Sequence, residues 1–371
     1  MKSFDKHITY IWQLPNWPDF YWDSEALLTP LAKLSHLHGM LNGQMSMLGF
    51  GKESETQLKA LTEELINSSA IEGVMLNANS VRSSIARKLG IETDNLLAQD
   101  HYVEGLVDVM LDAMTDSDKP LSEERLFAWH CALFPTGRSG MYKITVGDWR
   151  KGEEPMQVVS GAWGREKVHY EAPPSEAVPE EMARFIHWCN SCDQSPFVKA
   201  AIAHLWFVTI HPFDDGNGRM SRTLADMFLS RMDVNNTRYY SMSAEINRNK
   251  KAYYDELERA QKGDMDITQW LLWFLGCLEN AILQASEGVK RTLEKAVYWD
   301  KFHDVEINER QRKIINRLWD GFEGKLTSSK WAKICNCSQD TALRDINDLI
   351  AKGMLRDSGK GGRSTNYVLF I

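Results

Sequence analysis

The chain contains no apolar run long enough to cross a bilayer. Its longest, "WLLWFLGCL" from Trp270, falls well short of the ~20 residues a spanning helix needs, and reads as a buried helix. The first residues, "MKSFDKHITYIWQ", have no apolar core of the kind a signal peptide carries. Cysteine is sparse: six residues scattered over 371 give no disulfide framework, and the expectation is a reducing, cytoplasmic setting. Cys189 and Cys192 form a C-x-x-C, but no second pair stands at zinc spacing. There is no excess of positive charge either. The net charge of −8 excludes a chain that binds polyanions over its whole surface. Internal repeats and low-complexity tracts are absent.

The charge that is present is uneven. From Glu306 to Ile371 there are 12 Lys+Arg against 8 Asp+Glu, a local +4 that leaves −12 for the rest of the chain. The periodicity divides the chain similarly. Residues 1–55 are rich in tryptophan and proline ("IWQLPNWPDFYWD") and turn helical from Ser24, which reads as a cap. "ETQLKALTEELINSSAI", Glu55 to Ile71, is an amphipathic helix stopped at Glu72-Gly73, because Gly suits the residue just past a helix end. Residues 80–135 continue mostly helical. Between Pro135 and Pro179, "PMQVVSGAWGREKVHYEAPP" predicts a β-hairpin. Helical patterns resume at Pro179 and last to about Asp300. The expected domains are a cap over 1–55, a helical catalytic domain over 56–300, and a separate unit over 301–371. That last unit reads as three short helices and two strands around a Gly-rich basic turn. It resembles a winged helix-turn-helix domain. Arg344 on its third helix and Lys360 and Arg363 in the turn are the candidate DNA contacts.

The densest chemistry lies in "HPFDDGNGRMSR", His211 to Arg222, directly after the apolar "AAIAHLWFVTI". Gly216, Asn217 and Gly218 open a helix there. Glycines let backbone N–H groups approach a ligand, and the helix dipole favours an anion. Arg219 and Arg222, three apart, are cations at the wrong end of a helix dipole, which makes sense if a polyphosphate lies between them. Asp215 is a hard oxygen ligand suited to Mg²⁺. His211 can take a proton from an attacking hydroxyl. Phe213 is expected to plug the loop into the core. Singly, each of these features is ordinary, since Gly-Asn-Gly is a common turn. Together they point to nucleotidyl or phosphoryl transfer.

This stretch matches the Fic motif, H-x-F-x-[D/E]-G-N-G-R-x-x-R, at every fixed position. "GDWR" (Gly147–Arg150), "APP" (Ala172–Pro174) and "AYYDELERAQKGD" also resemble Fic proteins, and the likeness covers about residues 55–290. It implies a mainly α fold, a Fic helical core with a β-hairpin flap. It implies a protein adenylyltransferase that moves AMP from ATP to a Ser, Thr or Tyr hydroxyl of a protein and releases pyrophosphate. His211 would be the general base, and Asp215 would hold Mg²⁺, with Mn²⁺ as the alternative. Gly216, Asn217 and Gly218 would cradle phosphates, Arg219 would stabilise charge, and Arg222 would reach the γ-phosphate. A sister subgroup phosphorylates and carries Lys where Gly218 stands here. Tyr254 and Gln261 would enclose the adenosine. Val168, His169, Tyr170 and Glu171 would form the flap strand, to which an extended target segment could add as a further strand.

"NSSAIEGV" resembles the inhibitory [S/T]-x-x-x-E-[G/N] motif of Fic proteins, through Ser68, Glu72 and Gly73. Glu72 would pair with Arg222 and displace the γ-phosphate. It would alternatively serve to remove AMP from a modified target. The partners implied are a protein substrate or the chain itself, and a second copy in a homodimer. The competing reading is a DNA-binding regulator with a nucleotide-sensing Fic domain.

Overall fold

The computed structural model describes residues 10–48, 50–92, 97–161, 165, 167–233, 237–358 and 365–371. The chain is mainly helical and divides into two compact units, Met1–Ser286 and Glu287–Ile371. The first carries α1 (Ser24–Ser46), α2 (Phe50–Ile71), α3 (Ala78–Leu89), α4 (His101–Thr115) and α5 (Glu123–Leu133). Two small antiparallel hairpins follow: β1 (Arg138–Ser139) with β2 (Tyr142–Lys143), and β3 (Gln157–Ser160) with β4 (Lys167–Glu171). Then come α6 (Val178–Ser191), α7 (Pro196–Ile210), α8 (Asn217–Ser230), α9 (Met242–Arg248), α10 (Lys250–Gln261) and α11 (Thr268–Lys301), whose last residues belong to the second unit.

Side-chain caps start several of these helices. Asp23 accepts from the Glu25 and Ala26 amides, Asp100 from those of Tyr102 and Val103, and Ser122 from that of Arg125. Each supplies an acceptor to amides that have none within the helix. The centre of the unit is α7, in which every residue from Phe197 to Ile210 is buried. A helix apolar on all sides must be covered on all sides. Helices α6 and α8 pack along it, and α4 packs on α5 and α8. α2 starts at Phe50, five residues before its amphipathic pattern is legible. Its first turn is tied down by Glu53, which accepts from the Tyr239 hydroxyl at 2.6 Å.

The hairpin expected between Pro135 and Pro179 is β3–β4. The Arg138–Lys143 hairpin has no counterpart in the sequence reading, because two-residue strands are too short to display an alternating pattern. The N-terminal tryptophans do more than cap. The Trp12 indole donates to the Glu171 carbonyl at 2.8 Å, Tyr10 packs edge-on against Tyr170, and Trp17 donates to Glu181. The segment from residue 10 thus holds the foot of β4.

One close approach sets the α4–α5 spacing. A Cβ on Gly105 would stand 2.7 Å from the Ala132 carbonyl oxygen. Gly105→Ala must therefore push the two helices apart, and overpacking of this kind typically costs about 1–3 kcal/mol. A lower urea midpoint is expected; an unchanged midpoint would refute this packing account.

In the second unit, α12 (Glu309–Trp319), α13 (Ser328–Cys335) and α14 (Gln339–Ala351) precede the antiparallel pair β5 (Leu355–Asp357) and β6 (Tyr367–Leu369). Asn308, Thr327 and Ser338 cap the three helices. Trp331, Ile314, Ile346, Leu349 and Met354 form the unit's own core. Arg344 is exposed, whereas Lys360 and Arg363 lie outside the described residues. All six cysteines are free thiols. Among the described residues no helix is long and apolar enough to cross a membrane.

Candidate active site

The loop from α7 to α8 begins with a backbone reversal. His211 has φ 53° and ψ 57°, the left-handed region, which costs a residue with a Cβ about 1–2 kcal/mol. Such a conformation persists only where its surroundings impose it. Here Arg150 does so. Its Nε donates to the His211 carbonyl at 2.7 Å, its backbone N–H to the Pro212 carbonyl at 2.9 Å, and its Nη2 to the Pro173 carbonyl. The "GDWR" and "APP" segments are therefore the bracket that holds the loop. The reversal also fixes the imidazole. His211 Nδ1–H donates to the Val208 carbonyl at 3.0 Å, which leaves Nε2 as the acceptor nitrogen. Although the residue keeps part of its surface open, the burial of its ring lowers its pKa to about 4, so it is neutral at pH 7.

The loop closes on itself. The Asn217 side chain accepts from the Phe213 amide at 3.0 Å and donates to the Phe213 carbonyl at 2.8 Å. The Phe213 ring stacks on His130 at 4.0 Å, and His130 Nε2–H donates to the Asp215 carbonyl at 3.1 Å. Gly216 has φ +85°, and a Cβ on it would stand 2.7 Å from the Phe134 ring. The amides of Asn217, Gly218 and Arg219 precede the first intrahelical bond of α8, from Met220 N–H to the Gly216 carbonyl. That end of the helix presents donors to an anion.

The two arginines diverge. Arg219 lies 4.8 Å over the Phe134 ring and donates to the Tyr102 hydroxyl at 3.2 Å. Arg222 is buried and engages the end of α2. It donates to Ser68 Oγ and to the Ser68 carbonyl, both at 2.9 Å, and to Glu72 Oε1 at 2.7 Å. Burial opposes the Arg222 charge, but Glu72 outweighs it and raises the pKa further. Arg222 Nη1 and Arg219 Nε are buried without a hydrogen-bond partner. The α2 helix stops at Gly73, with φ +80°, which sets Glu72 at the turn. Its carboxylate presses on the anion end of α8: a Cβ on Gly218 would stand 2.2 Å from Glu72 Oε1.

A cleft of about 690 Å³ lies beside these groups, with Gly216, Arg219 and Arg222 outside its lining. Glu72, His211, Asp215, Asn217 and Gly218 form one side, and β3 with His169 and Tyr170 forms another. Tyr254 and Gln261 line it from α10. Gln261 is buried, with its amide 3.4 Å from the Val208 carbonyl, and the Tyr254 hydroxyl lies 3.4 Å from the Ile71 carbonyl. Tyr170 is buried and donates to the Thr209 carbonyl at 2.6 Å. Val168 and Glu171 are not part of the lining, and Glu171 instead accepts from Gln157 on β3.

Asp215 fits a divalent cation. Its Oδ1 accepts from the Gly216 amide at 2.6 Å and its Oδ2 from Ser139, yet each carboxylate oxygen has a second lone pair. Among the described residues no group of three or more His, Cys, Asp or Glu gathers for a metal. One carboxylate suffices for Mg²⁺ when substrate phosphates supply the remaining oxygens. His130, Ser139 and Tyr102 carry no signal in the sequence, since each meets the motif only through tertiary contact.

Residues 120–229 match the Fic/DOC family, and residues 10–91 match a domain of unknown function, DUF4172. A uridine 5′-monophosphate transferase of Xanthomonas campestris is 28% identical over 120 residues, 30% of this chain and 21% of that protein. The protein adenylyltransferase Fic of Drosophila virilis is 36% identical over 104 residues, 27% of this chain and 20% of that protein. The chain thus matches only about a fifth of the length of these relatives. Among solved structures, a Fic family protein from Desulfovibrio desulfuricans is similar in fold, with TM-score 0.55 at 20% identity, over 94% of this chain and 97% of that one. The chain carries a Fic/DOC domain.

Proposed function

We propose that this Fic/DOC-domain chain transfers AMP from ATP to a Ser, Thr or Tyr hydroxyl of a protein, with pyrophosphate leaving. The observation that carries the reading is the fixed His211 tautomer, with its acceptor nitrogen left free beside the anion end of α8. A neutral imidazole in that setting accepts the proton of the attacking hydroxyl. The Asn217–Arg219 amides hold phosphate oxygens, and Arg219 adds a charge held in place by Tyr102 and Phe134. Asp215 would hold Mg²⁺, which neutralises phosphate charge when bound. Tyr254 and Gln261 enclose the base and ribose.

The same reading makes Glu72 a brake. Its carboxylate occupies Arg222 and the space over Gly218, both of which the terminal phosphates need. Ser68 and Gly73 hold it there, one by binding Arg222 and the other by turning the chain. We read residues 1–55 as the cap, 56–300 as the brake and catalytic domain, and 301–371 as a winged-helix module for DNA or protein contact. A cytoplasmic homodimer is the expected form.

The test uses purified protein, Mg²⁺ and a Ser/Thr/Tyr-containing acceptor with ATP labelled on the α- or γ-phosphate, and α-labelled UTP in parallel. Label from α-ATP on protein is expected. Label from γ-ATP would mean phosphorylation, and label from UTP alone would overturn the choice of nucleotide.

A further inference from the structure

The cleft holds a second hydrogen-bonded constellation that plays no part in the motif. Ser160, at the end of β3, has its Oγ 2.6 Å from His169 Nε2, and His169 Nδ1 is 2.7 Å from Glu258 Oε2 on α10. All three residues line the cleft that also contains His211 and Gly218. The chain of contacts has a direction. A carboxylate only accepts, so His169 Nδ1 carries the hydrogen, and Nε2 is left to accept from the Ser160 hydroxyl. Glu258 is well suited to this. Burial pushes its pKa up, but hydrogen bonds from Lys262 and His169 outweigh that and hold it at about 2. Lys262 Nζ donates to the other Glu258 oxygen at 2.6 Å, which leaves Oε2 for the imidazole. Nucleophile, base and orienting carboxylate stand in the order that activates a hydroxyl.

We propose that Ser160 is an internal acceptor of the nucleotidyl group, with His169 as its own base and Glu258 as the residue that positions His169. The proposal rests on the nucleotidyltransferase reading above. Ser160 Oγ forms a bond to the α-phosphorus of ATP while the bond from that phosphorus to the bridging oxygen breaks. The electron pair leaves with pyrophosphate, and the hydroxyl proton passes to His169 Nε2, where the charge faces Glu258. The product is a phosphodiester on β3, at the wall of the cleft. It places AMP where an extended target segment would otherwise lie.

The experiment is peptide mapping of the full chain, carrying Glu72→Gly to open the site, after incubation with Mg²⁺ and ATP. Released pyrophosphate is counted in the same samples, and an added Ser/Thr/Tyr peptide serves as an external acceptor. An AMP adduct on Ser160 is expected. Ser160→Ala should lose it and Ser160→Thr should keep it. His169→Gln should lower the ratio of Ser160 adduct to pyrophosphate by about 10²-fold, the lower range for loss of a general base. Adduct on the added peptide or on other residues, with Ser160 unmodified, overturns this proposal and leaves the nucleotidyltransferase reading standing. Absence of both pyrophosphate and adduct overturns the two together. Full adduct in His169→Gln overturns the role of His169.

Discussion

Glu72→Gly is expected to raise AMP transfer about 10- to 100-fold. A hydrogen bond to a charged group contributes about 1.5–3 kcal/mol, and each 1.4 kcal/mol is tenfold in an equilibrium. The bond in question joins Glu72 Oε1 to a buried Arg222 at 2.7 Å. Its loss frees a guanidinium that already has one unpartnered nitrogen, Nη1. It also clears the space over Gly218. Glu72→Gln tests the charge separately: an amide oxygen still accepts from Arg222 and still fills the space, so a smaller rise is expected. The measurement is initial rate with α-labelled ATP at fixed acceptor. Equal rates in wild type and Glu72→Gly would remove the brake from the account.

His211→Ala in the Glu72→Gly background is expected to lower transfer by about 10²–10⁴, the range for removing a general base. Nucleotide binding should persist, because the amides of α8 do not depend on the imidazole. Equilibrium binding of ATP therefore separates loss of chemistry from loss of the loop. The pH profile gives a further check. The proposed role of His211 as a base requires it neutral, and burial holds it neutral down to about pH 4. Activity should fall as pH falls, and the acid limb of kcat/KM should lie well below the ordinary histidine value of about 6.5. A limb at that ordinary value would place the imidazole in water, contrary to the geometry.

The parts of this site that were legible in the sequence are local ones. His211 to Arg222 is contiguous, so the loop and the helix that follows it could be read from the local pattern, while the roles proposed for its residues rest on the likeness to the Fic motif. Ser68 and Glu72 share a helix face, and that face meets Arg222. The spacing of Arg219 and Arg222 suggested one shared phosphate between them, and their divergence was not legible. Their side chains leave α8 three residues apart, but one is drawn to Phe134 and Tyr102 and the other to the end of α2. Arg150 was visible as a word in "GDWR" but not as the bracket behind His211, because the carbonyls it binds lie 23 and 61 residues away. The Ser160–His169–Glu258 chain joins two strands to a helix 89 residues on, and no spacing rule connects them.

The contact between Glu72 and Gly218 has a kinetic corollary. On the proposed reading, carboxylate and phosphate exclude each other by volume, so ATP would compete with a group tethered to its own site. When only a fraction of molecules is open, the apparent dissociation constant rises by the inverse of that fraction. A closure of about 2 kcal/mol leaves about 3% open and weakens apparent ATP affinity about 30-fold. Below that raised threshold, turnover climbs in proportion to nucleotide supply instead of saturating. The carboxylate would then work as a throttle, set by mass action, that couples output to the supply of nucleotide.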